Sequence, residues 1–78
     1  MTPELEKYYL DRFTMFASDG WQDLLEDIKN MEKSYNNVAS INSVEEFYKR
    51  QGQLDIINLI LSLKELSEKT YEELNESN

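Results

Sequence analysis

The chain has no cysteine and no histidine. Without thiols there is no disulfide and no thiolate nucleophile, and without imidazole the usual proton-transfer base and the commonest zinc or copper ligand are gone. Glycine occurs twice and proline once in 78 residues, so the punctuation of hairpins and long loops is nearly missing. No stretch alternates apolar and polar residues for long, and the Asp19-Gly20 pair lies between segments of helical period, so strand signals are absent too. Cations are scarce: eight Lys and Arg stand against sixteen Asp and Glu, a net charge of -8. A surface that tracks phosphates needs clustered cations, so no direct nucleic-acid binding is expected. The longest apolar-rich stretch, Leu54 to Leu63, is too short and too interrupted to span a bilayer, and Met1-Thr2-Pro3-Glu4 does not open like a secretory leader. The expectation is a cytosolic protein without a membrane partner.

What is present points to helix. Hydrophobic residues make up 40% of the chain and nine aromatics are among them, a composition that folds instead of remaining an acidic coil. One domain over residues 1–78 is expected, because a chain this short buries only about 60% of the surface it exposes when unfolded. Thr2 and Pro3 announce a first helix over about 3–17, with Glu4 and Glu6 at the positive end of its dipole. Its apolar stripe is Leu5, Tyr8, Tyr9, Phe13 (or the stem of Arg12) and Phe16. Ser18-Asp19-Gly20 interrupts that stripe and supplies a cap for a second helix over about 19–38, whose period runs through Trp21, Leu24, Leu25, Ile28, Met31, Tyr35 and Val38. Asn36-Asn37 should weaken its end, since Asn competes for backbone hydrogen bonds.

Ser43-Val44-Glu45-Glu46 has the spacing of a capping box and starts a third helix over about 44–75. Glu45 with Lys49 and Glu46 with Arg50 form i,i+4 pairs expected to face solvent. Gly52 inside this helix costs about 1 kcal/mol relative to Ala, so it marks either a local irregularity or, the favoured reading, a point of close helix approach. From Leu54 the apolar residues Ile56, Ile57, Leu59, Ile60, Leu61, Leu63 and Leu66 cover most of the circumference, more than a three-helix monomer can enclose. Ser62-Leu63-Lys64-Glu65 is a second possible box, so the helix is either continuous or broken near Ser62, giving three helices or four. The tail over 75–78 is polar and expected to fray.

Chemistry is thin. Asp23, Glu26 and Asp27 share a face, but a hard cation needs oxygens converging from more than one segment or a glycine-bearing loop, so a solvated face is the better account. Glu65 and Glu68, followed by Glu72 and Glu73, resemble half of the E-x-x-E metal motif of the all-α nucleotide pyrophosphohydrolases of the MazG type. The second half, an E-x-x-D on a following helix, is missing. No Gly-rich phosphate loop or Ser nucleophile context is present either. Catalysis, cofactors, metals and small-molecule ligands are therefore not expected. Trp21 reads as a core residue more than as an exposed anchor, and in the pairs Tyr8-Tyr9 and Phe47-Tyr48 one ring of each should face inward and the other outward, because neighbours on a helix point about 100° apart. The acidic balance also permits a mimic of nucleic-acid phosphates that blocks a basic groove. The eight interspersed cations weigh against it.

The Gly20-Trp21-x-x-Leu24-Leu25 start and the stretch Arg50-Gln51-Gly52-Gln53-Leu54-Asp55-Ile56-Ile57-x-Leu59 resemble the short acidic all-helical open reading frames of tailed bacteriophages. The resemblance spans roughly residues 16–74 and implies phage origin, a hairpin-like all-α fold, no catalysis and residence in the host cytoplasm or the virion. It carries over no binding residues.

The resulting expectation is an all-α domain in which the second and third helices form an antiparallel hairpin and the first packs across it through Tyr8 or Tyr9, Phe13 and Phe16. Its core is expected to hold Trp21, Leu24, Ile28, Met31, Tyr35, Phe47, Leu54, Ile57 and Leu61. The function expected is non-enzymatic protein binding, to a second copy in a homo-oligomer or to a phage or host protein, through an apolar helix face made of Tyr48, Ile56, Leu59, Ile60, Leu63 and Leu66.

Overall fold

The computed structural model describes residues 1–76, all helix and short connections, with no strand among them. Four α-helices follow one another: α1 (Pro3–Phe16), α2 (Asp19–Tyr35), α3 (Val44–Leu61) and α4 (Leu63–Glu76). Each boundary has a local cause. The Thr2 side chain, on extended backbone, accepts the Leu5 N–H at 3.1 Å and opens α1. Ser18 serves two helices: its hydroxyl donates to the Met15 carbonyl at 2.6 Å and accepts the Trp21 N–H at 3.2 Å, closing α1 while capping α2.

The second helix stops at Tyr35, three residues short of the expected end. The Asn37 side chain accepts the Ala39 N–H at 3.2 Å, and Val38–Ser40 forms a single 3-10 turn instead of more α-helix. At α3 the Ser43 hydroxyl accepts the Glu46 N–H at 3.1 Å as the capping box requires. The Glu46 carboxylate reaches back to the Asn42 N–H at 2.8 Å, one residue before the cap.

The third predicted helix is two helices meeting at Ser62. Its N–H donates to the Asn58 carbonyl at 3.1 Å and its carbonyl accepts the Leu66 N–H at 3.0 Å, so the backbone ladder runs almost unbroken through the joint. Ser62 sits at φ -97°, ψ -2°, in the helical region and not on the extended backbone of an N-cap, so the Ser62–Glu65 spacing is a bend between abutting helices and no capping box. The α4 helix includes Asn75 and Glu76, where fraying was expected; residues 77 and 78 of that tail lie outside the described residues.

α2 packs mainly on α3, and α1 packs on α4 and on α2. Tyr9 and Phe13 of α1 meet Tyr71 of α4 edge-on at 5.7 and 5.4 Å between ring centres, while Phe16 meets Trp21 of α2 at 5.1 Å. Tyr9 is the buried member of its pair and Tyr8 the exposed one. The Arg12 guanidinium lies 4.6 Å from the Tyr8 ring centre and hydrogen-bonds the Tyr8 hydroxyl, with a long contact of 3.4 Å to the buried Ser67 of α4.

The molecule is long and thin, with extents of 51 × 28 × 16 Å. The smallest is little more than one helix diameter, about 10–12 Å, so few side chains are covered from both sides. Among the described residues only Tyr9, Phe16, Ile28 and Ile57 are buried and apolar. Of the expected core, Ile28 and Ile57 hold their places and Trp21, Tyr35, Leu54 and Leu61 are half-buried, but Leu24, Met31 and Phe47 are exposed. Helical period marks which side of a helix is apolar; it does not say whether a neighbour exists to cover the edges of that side.

Candidate functional site

Between Gln51 and Leu63 only one residue, Asp55, is charged, and seven of the thirteen are Leu or Ile. Its inward side carries Leu54, Ile57 and Leu61, buried or half-buried. At 100° per residue the opposite side carries Tyr48, Gly52, Ile56 and Leu59, all within about 80° of one another. Tyr48 is 66% exposed, Ile56 57% and Leu59 50%, so these three remain in water. Gly52, in their midst, is exposed as well, and a methyl group placed there would meet nothing within 4 Å. Among the described residues, therefore, no helix approaches Gly52, contrary to expectation.

The other three residues of the expected face fall differently. Ile60 and Leu63, on either side of the bend at Ser62, are half-buried. Leu66, on α4 beyond the bend, is exposed. Phe47 and Tyr48 are both exposed, where one of the pair was expected inside. Phe47 instead walls a cleft of about 250 Å³ with Tyr35, Val38, Ile41, Arg50 and Leu54. Ligand sites commonly span about 300–1,000 Å³, so this open cleft is small for a drug-sized molecule.

Arg50 explains how the cleft is built. Its guanidinium donates to the Tyr35 carbonyl at 3.0 Å and to the Ser40 hydroxyl at 3.1 Å, tying the end of α2 and the 3-10 turn to α3. The expected surface pairing with Glu46 is replaced by this clasp, while Glu46 serves the cap. The signal was in the sequence: Arg50 precedes Leu54 by four and Ile57 by seven, which puts it on the inward side of α3.

Among the described residues no group of three His, Cys, Asp or Glu side chains converges where a metal ion could sit. Asp23, Glu26 and Asp27 are each exposed along α2, and Glu65 and Glu68 along α4. Also among the described residues, no helix is long and apolar enough to cross a membrane. Compared with family models, curated proteins and solved structures, the chain matches none.

Proposed function

We propose that this chain is a non-enzymatic, phage-encoded protein-binding module that works through the outward face of α3, either self-associating or docking on a virion, assembly or host protein. The observation that carries the reading is the half or greater exposure of Tyr48, Ile56 and Leu59 on one stripe of one helix. Scattered exposed apolar residues are ordinary, whereas a stripe running into the sparsely charged later half of a helix is costly to leave wet and has the spacing of a helix-on-helix contact. In this reading α2 and α3 form an antiparallel hairpin, because their connection is short, and α1 braces it while contacting α4 through Tyr71. Phage origin rests on the Arg50-Gln51-Gly52-Gln53-Leu54-Asp55 stretch, and residence in the host cytoplasm or virion follows from it.

The test is a pair of substitutions, Ile56→Asp and Leu59→Asp, which lie on the wet side and leave the inward side untouched. Ile60 and Leu63 are poorer choices, since their half-burial mixes folding with binding. Helix content by circular dichroism should be unchanged and association, measured by light scattering or by retention of a purified partner, should be lost. Unaltered association in both variants would sink the reading.

The acidic surface supports a second reading, a nucleic-acid mimic. α2 carries Asp19, Asp23, Glu26, Asp27 and Glu32 against Lys29 and Lys33 only. Salt separates the two by sign: mimicry of phosphates weakens as salt is added, whereas apolar docking between acidic surfaces strengthens as their repulsion is screened.

A further inference from the structure

Gly52 is unexplained by the single chain. It stands mid-helix, where it costs about 1 kcal/mol relative to Ala. Its φ is not positive and the space above it is empty, so neither backbone conformation nor a neighbour in the chain calls for glycine. A missing side chain at the centre of an apolar stripe does one thing well: it lets the backbone of another helix come close. Resting on the reading of α3 as a docking face, we infer that its occupant is a second copy of this chain, with the two α3 helices crossing antiparallel at Gly52.

Three features select a second copy. The first is area. The chain exposes 6032 Å². A compact chain of this mass exposes about 5,000 Å², so the thin molecule leaves about 1,000 Å² more surface in water over its whole length, enough in total for the roughly 800 Å² that each partner contributes to a stable interface. The second is register. In an antiparallel pair centred on Gly52, each residue lies level with the one equally far on the other side of the glycine in the second copy, as a twofold contact requires. Tyr48 then lies level with Ile56, and Lys49 with Asp55, so the apolar centre is flanked by two opposite-charge pairs. The third is the distribution of charge: α2 and α4 hold most of the acids, and the Gln51–Leu63 stretch keeps only Asp55, so the crossing itself brings few like charges together.

The full chain should double in mass from 9.3 kDa as concentration rises in sedimentation equilibrium, more readily with added salt. Gly52→Gln improves helix propensity, so the monomer stays folded by circular dichroism, yet it should hold the helices apart and shift dimerisation to far higher concentration. The decisive arm is a mixing experiment. Lys49→Asp alone and Asp55→Lys alone each put like charges level across the crossing and should weaken dimers about tenfold, the effect of two exposed pairs at about 0.7 kcal/mol each. An equimolar mixture of the two variants restores opposite charges and should recover the dimer. Dimers indifferent to Gly52→Gln and to mixing, yet lost in Ile56→Asp, would place the partner on this face in another register and overturn the Gly52 crossing. A chain that stays monomeric at every concentration overturns self-pairing, and the docking face survives only if an apolar dye bound by the native chain is released by Ile56→Asp. Dimers that also tolerate Ile56→Asp would overturn both.

Discussion

Phe16 is the most enclosed side chain, at 1% exposure, and it lies where α1 turns into α2 against Trp21. With so few buried apolar residues, no other position can absorb its loss. Phe16→Ala should cost about 3–5 kcal/mol, most of the stability of a domain this size. Urea unfolding followed by circular dichroism checks it; a shift under about 1 kcal/mol would mean the core lies elsewhere. Trp21 presents the opposite balance, because its indole N–H is buried without a hydrogen-bond partner among the described residues. Trp21→Phe removes that unpaired donor, relief worth about 1–3 kcal/mol, at the expense of some ring contact. It should come out within about 1 kcal/mol of the native chain, whereas Trp21→Ala should lose about 3 kcal/mol or more. That one ring of the Tyr8-Tyr9 pair faces inward and the other outward was legible from period; that Tyr9 is the inward one was decided by the packing of α1 on Tyr71. Burial of Ser67 was not, since it depends on α1 lying over that point of α4.

At the scale of elements, starts were easier to read than ends. Thr2, Ser18 and Ser43 each cap the helix that their spacing announces, because an N-cap is a contact between residues three apart and needs nothing distant. Ser43→Ala should therefore cost about 1 kcal/mol, read as an equal loss in chemical denaturation. The end of α2 was harder, because three devices converge there: the Asn37 side chain, the 3-10 turn and the Arg50 clasp. Arg50→Lys should behave like Arg50→Ala, since an ammonium on a flexible stem does not reproduce two guanidinium bonds in fixed geometry. Faster amide exchange confined to residues 36–43 in both variants is the expected result. Protection restored by Lys would show that charge alone holds the turn. The bend at Ser62 is the element-level feature that the sequence left open, since its backbone hydrogen bonds allow either course and the rings of α1 meeting Tyr71 accompany the bent one.

For the whole molecule, the governing fact is thinness. The radius of gyration is 16.6 Å, against about 11–12 Å for a compact chain of 78 residues. Dilute protein should give a small-angle scattering radius near the larger value. Because a partner that binds only the folded form stabilises it by mass action, self-association on α3 predicts a melting temperature that rises with protein concentration. A melting point independent of concentration would argue that the single thin layer is stable unaided. The outward stripe itself was partly legible: Tyr48, Ile56, Leu59 and Leu66 are as exposed as a surplus of apolar residues suggested, while Ile60 and Leu63, on either side of the bend, are half-buried.

The amino-acid order alone determined the helical class, the N-caps of α1, α2 and α3 and the apolar side of each helix, because all three arise between residues one to four positions apart. It also determined the acidic charge and the lack of thiol and imidazole chemistry. Tertiary structure decided which apolar sides find cover, that α1 lies against α4, which distant groups Arg50 clasps and that Gly52 looks into open space. Those outcomes depend on which distant helix faces which, and no short-range period encodes that.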